Sequence, residues 1–326
     1  MATSTPHDSL FKFAFGEPRH AASMLRSVVP REVADQIQWE SLERVSVAFI
    51  DEEFSKLYAD LLFAAKLRGH EAFLWLLFEH QSSSDPWMAF RVLEYAVRVW
   101  KDWLRAHEKA TRLPAIVPVV LHHSERGWTA STSFSELLDL DEGTKKALGP
   151  YLIDFRFLLD DLTRHTDDEI QARALTELAE MVALAFKHLP YDEEPVRTLE
   201  KVAPLMVRLM NEHDGLAALS AFFRYTMQVS DVESGTLRTF VATNVGKKAE
   251  EIVMSTAEKL IQQGQREGRV ALLRKLFIAR FGAFPAEVAE RARHVSPEEL
   301  DHWAERLLMA QSIDEVFDGS ASHRPL

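Results

Sequence analysis

Two apolar runs separated by a turn constrain this chain more than any other feature. Residues 54–66 (FSKLYADLLFAAK) and 72–81 (AFLWLLFEHQ) are rich in residues that suit extended backbone, and Arg68-Gly69 lies between them. Strand-length runs joined by so short a break read as an antiparallel hairpin. Residues 82–86 break the pattern, and residues 88–109 take up helical spacing, with Phe90, Leu93, Val97, Trp100 and Leu104 along one side. Residues 115–121 (AIVPVVL) are continuously apolar, which suits a strand buried on both faces. Pro118 within that run cannot donate to a ladder, so it predicts a bulge or an edge position. With an apolar helix ahead of the hairpin, the order is helix, strand, strand, helix, strand. That order builds a mixed sheet with helices against it, an α/β fold.

Upstream, Leu10, Phe11, Phe13, Ala14 and Phe15 cluster behind Pro6-His7-Asp8. Asp8 is placed to be the N-cap of a short helix, its carboxylate near the positive end. A second amphipathic stretch over residues 21–29 ends at Pro30. Beyond about residue 130 the spacing is helical. Residues 167–189 carry Ile170, Ala174, Leu178, Met181, Val182 and Phe186 on one helix that Pro190 closes. Residues 196–210, 216–227 and 249–281 read as further helices, the last interrupted by Gly264 and Gly268. Two short helices, 285–293 and 297–309, are each opened by proline. The expected organisation is an α/β domain over residues 1–240, a helical region over 247–319 and a loose tail over 320–326.

The chain has 47 % hydrophobic and 27 % charged residues, proportions that support a folded core. It has no run of about 18 apolar residues, so no membrane span is expected. Its N-terminus lacks the basic start and long apolar stretch of a secretion signal. The absence of cysteine excludes a disulfide framework, a thiolate zinc site and a cysteine nucleophile, and suits the cytoplasm. A net charge of −12 argues against a nucleic-acid partner, but the charge is uneven. Residues 131–200 carry 16 acidic and 7 basic side chains, residues 1–110 carry 16 and 13, and residues 247–282 carry 4 and 8.

The strongest local anomaly is Asp60, a carboxylate inside LYADLLFAA. Buried there, it would face a large desolvation cost unless it were paired or bound a cation. Taken alone, an edge position facing solvent or half of an ion pair is the commoner explanation, because structural ion pairs perturb acids too. Glu79 and Gln81 lie two residues apart at the end of the next run, so both belong to one strand face. In a hairpin, Asp60 and Glu79 can approach each other across the ladder. Two carboxylates with one backbone carbonyl make a hard-oxygen site suited to Mg²⁺ or Mn²⁺.

Tyr58-Ala59-Asp60-Leu61, followed by Phe78-Glu79-His80-Gln81-Ser82-Ser83, resembles the Asp … Glu-x-Gln core of the Rpn family. These are recombination-promoting nucleases and transposase-like proteins of the PD-(D/E)XK superfamily. The resemblance continues through Asp85-Pro86, Met88 to Arg91, Tyr95, Leu113-Pro114, Val117 to Val120, His7-Asp8 with Phe11-Lys12, and Trp128-Thr129, covering roughly residues 6–240. Gln263 to Arg269 and Arg280-Phe281-Gly282 resemble the C-terminal extension of such proteins. Two departures stand out. Gln81 holds the place of the usual lysine, as it does in this family, and can only hydrogen-bond. Leu121-His122-His123-Ser124 stands where a tyrosine–histidine–glycine turn is expected.

The resemblance implies a restriction-endonuclease-like mixed sheet flanked by helices, with a mainly helical C-terminal region. It implies a Mg²⁺- or Mn²⁺-dependent DNA endonuclease in which Asp60, Glu79 and the His80 carbonyl hold metal and Gln81 positions water or phosphate. Asp8 is a candidate outer ligand, and a simple helix cap accounts for it as well. Arg91 could contact phosphate or make an ion pair. Adjacent strand residues face opposite ways, so His122 and His123 are better read as ordinary side chains than as a metal pair. Trp87, Trp100 and Trp103 read as core and rim packing, with base stacking as the minority reading. The basic stretch around residues 266–280 reads as a solvated face. The expected partners are DNA, a second copy through the C-terminal helices, and an inhibitory protein. The rival reading is a nuclease-fold protein with negligible cutting that serves as a DNA-binding or protein-interaction component.

Overall fold

The structure, a computed structural model, describes residues 5–45, 61–67 and 70–317, with residues 70–81 described by their backbone. The chain forms two compact units, Met1–Met254 and Ser255–Leu326. The first unit opens with helices α1 (Pro6–Phe15), α2 (Pro18–Val28) and α3 (Arg31–Ala34), followed by strands β1 (Ile37–Arg44), β2 (Leu61–Leu67) and β3 (His70–Gln81). Helix α4 (Met88–Ala106) leads into β4 (Ala115–His122), and α5 (Glu142–Leu148) precedes β5 (Leu158–Asp161). Helices α6 (Asp167–Gln171), α7 (Glu177–His188), α8 (Pro195–Leu209), α9 (Gly215–Val229) and α10 (Ser234–Asn244) complete it.

The five strands form one mixed sheet in the order β1-β2-β3-β4-β5. The β1–β2 and β2–β3 pairs are antiparallel, and the β3–β4 and β4–β5 pairs are parallel. The expected hairpin is present, with Leu61 paired to Phe78 and Lys66 to Phe73. Asp60 and the Arg68-Gly69 turn lie outside the described residues. Alternation along the strands divides the core into two layers. Leu61, Phe63, Ala65, Val119 and Leu121 pack with α1, α2 and α7 on one face. Leu62 and Val120 pack with Met88, Ala89, Val92, Tyr95 and Val99 of α4 on the other. Successive side chains of a strand point to opposite faces, so both layers are required by the apolar runs themselves.

Pro118 sits at an edge and not at a bulge. The β3–β4 register is unbroken through Leu77 and Pro118, whereas β5 first pairs at Val119. At that level the β5 side of the strand asks for no donor. Several expectations fail for identifiable reasons. Asp8 is not the N-cap of α1. Thr5 caps it by accepting from the Asp8 amide at 3.2 Å, and the Asp8 carboxylate reaches back to the Thr5 amide at 3.4 Å, a capping box. The single helix expected over residues 167–189 is two helices, α6 and α7. Ala174 between them takes a positive φ of 53° and Thr176 starts α7 as its N-cap. On α4, Met88, Ala89, Val92, Tyr95, Ala96 and Val99 are buried, while Phe90, Val97 and Leu104 are exposed. The helix is apolar on two stripes, and the stripe of Met88, Ala89, Val92, Tyr95 and Val99 packs on the sheet. Strands β1 and β5 and helix α10 have no counterpart in the sequence reading.

Helix α11 (Lys247–Phe281) runs without a break through Gly264 and Gly268, and its start contributes Ala249 and Val253 to the first unit's core. The second unit packs Leu273 and Phe277 of α11 against α12 (Ala286–Ala292), α13 (Pro297–Leu307) and α14 (Ile313–Phe317) around Trp303. Its basic side chains are engaged and not merely solvated. Arg269 Nε is shared between the two carboxylate oxygens of Asp301 at 2.9 and 3.1 Å, Arg280 donates to the Ala310 carbonyl, and Arg266 to the carbonyls of Ala292 and Arg293. The Arg291 guanidinium lies 4.3 Å over the Phe317 ring. Among the described residues no helix is long and apolar enough to cross a membrane.

Candidate active site

Parallel pairing brings the carboxyl ends of β3, β4 and β5 level. Gln81 is the register partner of His122, and His122 that of Asp161. Two residues earlier, Glu79 pairs with Val120. Strand β2 runs the other way, so its first residue, Leu61, meets Phe78. In sequence, Asp60 directly precedes Leu61 and Glu79 directly follows Phe78. Val120 belongs to the α4 face of the sheet, which assigns the Glu79 and Gln81 positions to that face as well.

The neighbouring strand ends are buried and polar. His122 and His123 are fully buried and separate onto opposite sides of the sheet. The His122 ring meets Trp128 edge-on at 5.0 Å, and its Nε2 lies 2.9 Å from Ser124 Oγ. His123 stacks on Phe186 at 4.8 Å and lies 4.8 Å from the ring of His7. His7 Nδ1 is in turn 3.0 Å from the hydroxyl of Tyr225, whose pKa is pushed well up by burial and by nearby Tyr191. These contacts dock the first turn of α1, which carries Asp8, beside the end of β4.

Asp161 is also buried. It accepts from the Trp128 amide at 2.7 Å and the Thr163 amide at 3.2 Å, and pairs with Arg164 at 3.1 Å. Thr163 Oγ1 in turn donates to the Ser124 carbonyl at 2.8 Å. Asp160 pairs with Arg173 at 2.8 Å. Each buried carboxylate thus has its charge met by cation or amide donors, as burial demands. The sequence reading missed this β5 edge. Its only signal was a pair of acids closing a short apolar run, Leu158-Leu159-Asp160-Asp161.

The loop from β3 to α4 is tied down by Asp85, which accepts from the Trp87 amide at 2.8 Å and pairs with Arg91 at 2.8 Å. Arg91 is therefore engaged in an ion pair beside the strand that holds Glu79. Trp87 is largely exposed, Trp100 donates to the Pro114 carbonyl at 2.8 Å, and Trp103 stacks on His107, so this group forms a rim and not a core. Among the described residues no three histidine, aspartate or glutamate side chains gather closely enough to hold a metal ion. Asp60 falls outside the described residues, and Glu79, His80 and Gln81 are placed by backbone register alone.

The family described as "Putative transposase, YhgA-like" matches residues 5–216. The recombination-promoting nuclease RpnD of Escherichia coli O157:H7 is 28 % identical over 80 % of this chain and 95 % of its own. RpnA of Escherichia coli K12, with the same description, is 29 % identical over 81 % of this chain and 86 % of its own. RpnE of the same strain, described as an inactive recombination-promoting nuclease-like protein, is 28 % identical over 82 % and 85 %. No solved structure matches.

Proposed function

The chain belongs to the YhgA-like transposase family, and from that premise we propose that it is a metal-dependent DNA endonuclease of the PD-(D/E)XK type acting in DNA recombination or against mobile elements. The observation that carries the proposal is similarity to recombination-promoting nucleases across four-fifths of the chain. The sheet is consistent with it. An antiparallel β1-β2-β3 meander followed by α4 and a parallel β4 is the arrangement expected of a restriction-endonuclease-like core. The ends of β2 and β3 bring the sequence neighbours of Asp60 and Glu79 into register.

Asp60, Glu79 and the His80 carbonyl offer only hard oxygen donors, a set that fits Mg²⁺ or Mn²⁺. When bound, such an ion supplies a water of lowered pKa and offsets charge on the phosphate. The chain's own part is positioning. Gln81, beside buried His122 in register, offers its side-chain amide to the attacking water or the scissile phosphate. Asp8 already serves the capping box of α1, so its weight falls toward a structural role.

The test is plasmid cleavage with Mg²⁺ or Mn²⁺ by wild type, Asp60→Ala and Glu79→Ala, with a chelator control. Metal-dependent nicking that both substitutions abolish supports the proposal. Cleavage that survives both places the activity elsewhere. The inactive description of RpnE favours a second reading, in which the same fold binds DNA or a protein without cutting it. Folded wild type that binds DNA and cleaves none under several metals selects that reading.

A further inference from the structure

We infer that the outward face of α4 is a two-fold docking surface for a second copy of this chain. Trp87, Phe90, Val97 and Leu104 are 60 %, 45 %, 36 % and 42 % exposed, although all are large and apolar. At about 100° per residue they fall on one stripe about 100° wide, distinct from the stripe that covers the sheet. Phe90 and Leu104 lie seven residues to either side of Val97. A two-fold axis through Val97, with the helices antiparallel, therefore sets Phe90 of one copy against Leu104 of the other and Val97 against itself.

The charges on this face follow the same symmetry. Glu94 and Lys101 share the stripe, to one side of the apolar line, and form no ion pair with the described residues. The same axis brings Glu94 of one copy level with Lys101 of the other, within about one residue's rise of 1.5 Å. A rotation of this kind keeps both on the same flank, so opposite charges meet twice. A parallel two-fold would set Glu94 level with Glu94 and Lys101 level with Lys101, so no opposite charges would meet.

The flanking arginines do not favour a polyanion instead. Arg91 is paired with Asp85 and Arg105 with Asp102, each at 2.8 Å, and Arg98 between them also has a partner, so much of the positive charge is met within the chain. One helix stripe buries less than the roughly 800 Å² per partner typical of a stable complex, so the association is expected to be reversible at about micromolar concentration. Because α4 follows directly on β3 and spans 19 residues, about 28 Å, the two copies would hold their β3 ends at opposite ends of the helix pair.

The absence of cysteine makes the test direct. Single-cysteine variants of the full-length chain are oxidised and scored for covalent dimer, which requires Cα atoms within about 7 Å. Val97→Cys is expected to cross-link with itself. Phe90→Cys is not, because its mate lies about 21 Å along the pair, but it should cross-link when mixed with Leu104→Cys. Sedimentation should show weaker association for Glu94→Lys and for Lys101→Glu, restored in the double exchange. Folded Val97→Cys that stays monomeric overturns the inference, as does Phe90→Cys cross-linking with itself as readily as Val97→Cys. Protection of Cys-modified positions by added DNA without any cross-link would assign the face to nucleic acid and overturn it equally.

Discussion

His20 should make this protein acid-sensitive over a defined range. The side chain is buried in α2, with Nδ1 2.7 Å from Thr176 Oγ1. That hydroxyl already accepts from the Ala179 amide at 3.4 Å as the cap of α7, so its hydrogen is available to a neutral ring. Protonating the ring would turn Nδ1 from acceptor to donor and reverse that hydrogen bond. Burial and the Arg19 charge lower the imidazole from 6.5 to about 4, against weaker opposition from Glu177 and Asp214. Between those values the unfolded chain binds the proton that the folded chain refuses, so stability falls as pH falls from 6.5 toward 4. With pKa values of 6.5 unfolded and about 4 folded, the loss between pH 7.5 and 4.5 is about 2.5 kcal/mol. Urea midpoints of wild type and His20→Gln at both pH values measure it. Glutamine can keep a hydrogen bond to Thr176 and does not titrate, so the variant should lose about 2.5 kcal/mol less than wild type. Equal losses in the two proteins would refute the assignment.

Asp167 receives Lys187 at 2.7 Å, His188 at 2.7 Å and Lys201 at 2.6 Å, donors that outweigh the upward push of burial and hold its carboxyl well below the usual range. Asp167→Asn should cost about 2 kcal/mol in a denaturant titration at pH 7, and wild type should forfeit the same support progressively as pH falls from the ordinary carboxylate range toward the much lower pKa of the folded carboxyl. Gly215 opens α9 where an added Cβ would lie 1.7 Å from the Leu209 carbonyl oxygen, so Gly215→Ala should lower the melting point by several degrees, about 2 kcal/mol, in a thermal scan. On the nuclease reading, Gln81→Ala should reduce single-turnover cleavage by about 10- to 1000-fold while leaving metal affinity, read by calorimetry, within a few-fold.

Register explains why the candidate site is only partly visible in sequence. Glu79 and Gln81 stand out because a charge and an amide close an apolar strand, and Asp60 because it interrupts one. The local pattern marks these positions without help from the rest of the chain. His122 and Asp161 gain their places from β4–β5 pairing between residues about 40 apart, and the His7–Tyr225 contact spans 218 residues. No window of sequence contains such a pair.

The chain's local pattern alone determined the hairpin of β2 and β3, the helix that follows it, the apolar strand β4 and the helical character of the second half. Each is a periodicity of two or of 3.6 residues that backbone geometry converts directly into structure. Tertiary structure alone decided which stripe of α4 meets the sheet, since both stripes are apolar and only packing against Leu62 and Val120 selects the one that is buried. It also decided the break between α6 and α7 and the pairing of the short strands β1 and β5. Those elements carry too little local preference to form alone, and they exist because a neighbouring strand or helix satisfies their backbone and covers their apolar side chains.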